Sequence, residues 1–80
     1  MPDLPRIYFD TNEQDDSGAY LLSVFGAQED IRRLGDSLHP GMRVLLYMTD
    51  ELEVEATLEY DSQYHYWLGR ADMTTLRYLQ

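Results

Sequence analysis

Residues 51–60, ELEVEATLEY, constrain the fold more than any other stretch. An acid or a threonine stands at each odd position and an apolar residue at each even one. That alternation is the period of a β-strand; on a helix it would mix the two faces. Leu52, Val54, Ala56, Leu58 and Tyr60 therefore seek a core. Glu51, Glu53, Glu55, Thr57 and Glu59 point the other way. What that acidic face is for is the functional question the sequence poses.

The segments around this strand read as its partners. MRVLLYM (42–48), YHYWLGR (64–70) and TTLRYL (74–79) are separated from it and from one another by short polar gaps. Same-face residues on neighbouring strands must sit opposite each other, which tests each gap by parity. A loop at 49–51 pairs Met48 with Leu52, Leu46 with Val54 and Val44 with Ala56. A loop of the same length at 61–63 pairs Tyr60 with Tyr64, Leu58 with Tyr66 and Ala56 with Leu68. One at 71–73 pairs Leu68 with Leu76 and Tyr66 with Tyr78. Three equal loops thus give one apolar face and a C-terminal four-stranded meander. Neither of the first two contains the glycine that such loops favour.

The N-terminal half supplies the rest of the sheet and one helix. LPRIYF (4–9) reads as a strand, and Pro5 places it at an edge or at a strand start. DTNEQDDSG (10–18) reads as a mobile, solvated loop. AYLLSVF (19–25) is apolar at both parities, as a strand buried on both faces is, and Gly26 ends it. Ile31, Leu34 and Leu38 form one stripe of a helix over 27–38. Glu29–Arg33 and Arg32–Asp36 are spaced as i,i+4 pairs along it, and Pro40 limits its end. The expected fold is a single α+β domain: a mainly antiparallel sheet of about six strands with one helix over its apolar face. A sheet curled toward a small barrel is the neighbouring solution.

Composition narrows the function classes. The chain has 80 residues, no cysteine, and a formal charge of −9. Thiolate metal sites and disulfides are excluded. All six basic residues are arginines, so lysine Schiff-base chemistry and a P-loop lysine are excluded too. The absence of lysine fits a coding bias, or a use of the planar arginine fork in cross-strand pairs. The charge repels phosphate backbones and anionic membranes, which argues against nucleic-acid and membrane partners, and it favours a basic protein partner. No apolar run approaches the ~18 residues of a membrane span, and no secretory leader pattern opens the chain; a cytoplasmic protein is expected.

No catalytic or metal constellation stands out. The loop 10–18 fails the calcium-loop pattern, with Asp15 in the glycine position and Leu21 in that of the last glutamate. His39 and His65 lack ligand spacing, and no serine stands in a nucleophile elbow. No cofactor is implied. YHYW (64–67) resembles a base-stacking platform, but alternation splits it and few basic residues flank it.

The outer face is then the candidate site. In this register Tyr47 faces Glu53, Leu45 faces Glu55, and Thr57 faces Arg43 and Trp67. Glu59 faces His65, and Arg77 faces Trp67. The expected function is a non-enzymatic acidic protein-interaction module. Tyr47, Trp67 and Arg77 would anchor the partner; Glu53, Glu55 and Glu59 would steer it. Two-sided apolar runs outnumber what one short helix can cover, so a homodimer is the second reading. A small antitoxin- or immunity-type inhibitor of a basic nucleic-acid-binding protein is a specific form of the first.

Overall fold

A computed structural model describes residues 4–79 as a mixed α+β fold, one helix against a curled sheet of about six strands that forms a half-barrel. The elements in chain order are β1 (Arg6–Tyr8), β2 (Tyr20–Leu21), α1 (Phe25–Leu34), β3 (Arg43–Met48), β4 (Leu52–Asp61), β5 (Tyr66–Ala71) and β6 (Arg77–Tyr78). Short 3-10 turns follow α1 at Gly35–Ser37 and β5 at Met73–Thr75. No helix of the described residues is long and apolar enough to cross a membrane.

The alternating segment is the spine. β4 is the longest strand, ten residues, and β3, β5 and β6 all pair with it. The sheet order is β1-β3-β4-β5-β2, with β6 beside β4. The β3–β4 register is the expected one: Val44 opposite Ala56, Leu46 opposite Val54, Met48 opposite Leu52. The turn after Met48 closes without glycine because Asp50 takes the left-handed conformation, φ 62°. The even face forms the core, in which Val44, Leu46, Val54, Ala56 and Leu58 are buried with Ile7, Phe9, Leu22 and Ala27. Ile31, Leu34 and Leu38 pack on it as expected.

The second hairpin departs from the expected register. Its turn holds four residues, 62–65, so Tyr60 opposes Trp67, Leu58 opposes Gly69 and Ala56 opposes Ala71. Two features close this longer turn. The Asp61 carboxylate accepts the Gln63 and Tyr64 amides at 2.9 and 3.1 Å, and His65 takes φ 61°. One extra residue flips every β5 side chain to the other face. Trp67 therefore joins the core side, and Gly69 lies under Leu46: a Cβ there would meet Leu46 Cδ1 at 2.8 Å.

The meander also stops at β5. The chain makes a 3-10 turn capped by Asp72 and continues along the same side of β4, so that Leu52 opposes Tyr78 and Glu53 opposes Arg77. β5 covers only the C-terminal part of the long strand. The Asp72 amide on the Glu55 carbonyl, and the Glu55 amide on the Thr75 hydroxyl, bridge the gap to β6.

Three expectations for the first half are corrected. β1 pairs with β3 in parallel, so the sheet is of mixed direction. AYLLSVF gives only the two-residue β2, antiparallel to β5, and α1 already begins at Phe25. Gly26 lies inside α1, where its bare Cα lets the Tyr8 ring approach; a Cβ would stand 2.8 Å from Tyr8 Cδ2. With the helix shifted, its ion pairs are i,i+3: Glu29–Arg32 and Asp30–Arg33.

Loop 10–18 is mostly solvent-exposed, as expected, and is built from hydrogen-bonded turns. Asp15 Oδ1 accepts the Ser17 amide, the Ser17 hydroxyl and the Ala19 amide at 2.7–3.0 Å. Gln14 bridges to Tyr20, and Arg70 donates to Ser17. The Ser17 hydroxyl first, then the Ala19 and Ser17 amides, hold the Asp15 carboxyl below its ordinary range against the opposing effect of desolvation.

Candidate functional site

Four of the six expected contact residues come together on the outer face. Tyr47, Glu53 and Arg77 stand in one row across β3, β4 and β6, and Glu55 lies one outward position along β4. They are engaged with each other and with arginines the sequence reading left aside. Glu53 is nearly buried and lies between Arg6, at 3.2 Å, and Arg77, which also donates to it. The Arg77 hydrogen bond, with Arg6 behind it, lowers the Glu53 carboxyl despite its burial. Arg6 also covers the Tyr47 ring, 4.7 Å from its centroid.

Tyr47 serves the fold. Its hydroxyl donates to Asp30 of α1 at 2.8 Å, and the same carboxylate oxygen accepts the Tyr8 amide at 2.9 Å. Burial, then the Asp30 hydrogen bond, push the Tyr47 phenol up and keep it protonated.

The second outer cluster centres on Arg43, which bonds Glu55 at 3.2 Å and Asp72 at 2.8 Å. Those bonds, Asp72 first, raise the Arg43 guanidinium. Asp72 is lowered by the Thr74 hydroxyl and then by Arg43. Between the clusters a hollow of about 310 Å³ is lined by Leu45, Glu53, Glu55, Thr75 and Arg77.

Glu59 and Trp67 lie elsewhere. Glu59 opposes Leu68, not His65, and is bound by Arg70 at 2.7 Å. Thr57 opposes Arg43 as expected, but on its other side it meets Arg70, not Trp67. Trp67 lies on the core side, 4.9 Å from the Tyr60 ring centroid, so Arg77 is not its neighbour.

The acidic ridge is thus a lattice of arginine–carboxylate pairs. All six arginines are paired, and their partners are Glu29, Asp30, Glu53, Glu55, Glu59 and Asp72. These pairs engage six of the fifteen acids, and Asp10, Glu13, Asp16 and Asp61 are not among them. The signal for Arg43 was present: a chain whose basic residues are all arginines has the fork that suits two-partner carboxylate binding.

A second concavity lies between α1 and β5. Leu22, Ile31, Tyr66 and Trp67 give it an apolar lining, Gln28, Arg32 and His65 a polar one, around about 230 Å³. Tyr60 and Tyr64 are exposed beside it, and Tyr64 contacts Tyr66 at 6.0 Å between centroids. Burial, then the Asp61 and Asp15 carboxylates, push the Tyr66 phenol up. This end of the molecule joins aromatic surface to acids, with Arg32 in the groove lining and Arg70 bound to Ser17 of the acidic loop. Equal loops set Tyr60 and Trp67 on opposite faces, whereas the four-residue turn sets them opposite each other on one face.

No known protein family, curated protein or solved structure matches the chain.

Proposed function

We propose that this chain is a non-catalytic protein-interaction module that takes a basic segment of a partner protein at the aromatic end of the sheet. The carrying observation is the exposed Tyr60 and Tyr64 beside the Trp67–Tyr66 groove, next to Asp61 and loop 10–18. Aromatic faces attract arginine and lysine heads, at about 0.5–1 kcal/mol each where exposed. The loop acids add long-range attraction and faster encounter. The outer-face glutamates contribute less to such steering, because their own arginines neutralise them. A segment with an apolar residue for the groove and cationic neighbours is the fitting ligand class.

Trp67 is the only tryptophan and lines the groove, so it reports directly. Its fluorescence is to be titrated with arginine-rich peptides that do or do not carry a central leucine. Saturable quenching, weakened about fivefold or more in Tyr64→Ala, supports the reading. A response that is absent, or identical in Tyr64→Ala and in Glu13→Gln/Asp16→Asn, removes it.

A further inference from the structure

The outer face has a charge pattern that fits its own copy. It carries two three-residue clusters side by side. In one, Glu53 lies between Arg6 and Arg77, two cations on one anion. In the other, Arg43 lies between Glu55 and Asp72, two anions on one cation. The first has a formal excess of one positive charge and the second of one negative. Glu53 and Glu55 are successive outward residues of β4, so the clusters are neighbours, and Leu45 lines the hollow between them.

We propose that this face is the interface of a homodimer with two-fold symmetry. An isologous contact sets each patch against itself after a half-turn, so that residue i meets residue j and j meets i. A half-turn about an axis through the hollow lays the Arg6–Glu53–Arg77 cluster of one copy over the Arg43–Glu55–Asp72 cluster of the other, twice. No second class of partner is needed for this complementarity, since both halves are in one chain. The global charge points to the same face. Two chains at −9 repel, but here the six clustered charges sum to zero, so the clusters add no net repulsion to close approach. Apolar contact is available as well: Leu45 lines the hollow, and Leu79, opposite Glu51 through its backbone hydrogen bond, is 43% exposed at the rim. The surface lies on the face away from the aromatic groove and is independent of it.

The test is charge reversal with rescue, read by sedimentation at micromolar and near-millimolar protein. The wild-type chain is expected to dimerise over that range. Arg77→Glu turns the positive cluster negative, and Glu55→Arg turns the negative cluster positive. Each alone sets like charge against like at both contacts and weakens the dimer by about a hundredfold. Both side chains are substantially exposed, and circular dichroism checks each fold; if one variant unfolds, the other carries the test. The double variant Arg77→Glu/Glu55→Arg restores opposite signs and brings the dimer back to within about tenfold of wild type. A wild-type chain that stays monomeric overturns the proposal. So does a dimer that neither reversal weakens, or one that the double swap fails to restore.

Discussion

The two hairpins of β4 start from the same strand and differ by one turn residue. In the first, a three-residue turn with Asp50 in the left-handed region keeps even residues opposite even residues. In the second, a fourth residue fits because Asp61 ties down the turn amides and His65 takes the left-handed position. Even then meets odd, and Trp67 changes face. Strand alternation therefore fixes which residues of one strand share a side, whereas the turn fixes which side its neighbour presents.

Trp67→Ala breaks the second hairpin most. A tryptophan packed on the core and against Tyr60 should cost about 2–3 kcal/mol when truncated. On the outer face, as equal loops imply, it would cost less than about 0.5 kcal/mol. Urea denaturation decides between the two placements. Gly69→Val examines the same flip from below. The added Cβ meets Leu46 across the core, so a loss of about 1–3 kcal/mol is expected. Leu46→Ala in the same chain should relieve part of that clash, giving non-additive midpoints.

His65→Gly acts in the opposite direction. Removing the Cβ at φ 61° should stabilise the second hairpin by about 0.5–1 kcal/mol, seen as a higher urea midpoint with unchanged slope. An unaltered or lower midpoint would mean that the His65 side chain contributes more than its backbone costs.

Acid acts on the carboxylates outside both turns. Asp15, Glu53 and Asp72 all have lowered folded-state values, and none lies in the turn 62–65. A lowered value stabilises the fold above the ordinary pKa, 4.5 for Glu53 and 3.8 for the aspartates, and that stability disappears as pH falls through the folded value. Stability should therefore decline below about pH 4.5. Glu53→Gln should flatten the upper part of that decline.

Much of the fold was legible because it depends on period. The inward residues of β3 and β4, their register, the helix stripe at Ile31 and Leu34, and the edge position implied by Pro5 all follow from alternation and from the stereochemistry of proline. What escaped depends on single side chains acting at a distance. Nothing in LPRIYF specifies parallel pairing with β3, and Gly26 reads as a stop unless the Tyr8 ring beside it is known. Asp61 and Asp72 look like ordinary turn acids, yet one lengthens a hairpin and the other redirects the chain from β5 onto β4. The candidate site was readable in membership more than in role. Tyr47, Glu53, Glu55 and Arg77 do share a face, but the sequence does not reveal that their first partners are Asp30, Arg6, Arg43 and one another.

Asp30 has a consequence beyond the ion pair it makes with Arg33. β1 is three residues long and has a strand on one side only. Its far side would offer the Tyr8 amide to any foreign strand, the contact from which fibrils and amorphous deposits grow. Asp30 occupies that donor from the helix. The seating of α1 thus shields this one border, and a loosened helix would uncover it even with the rest of the sheet intact.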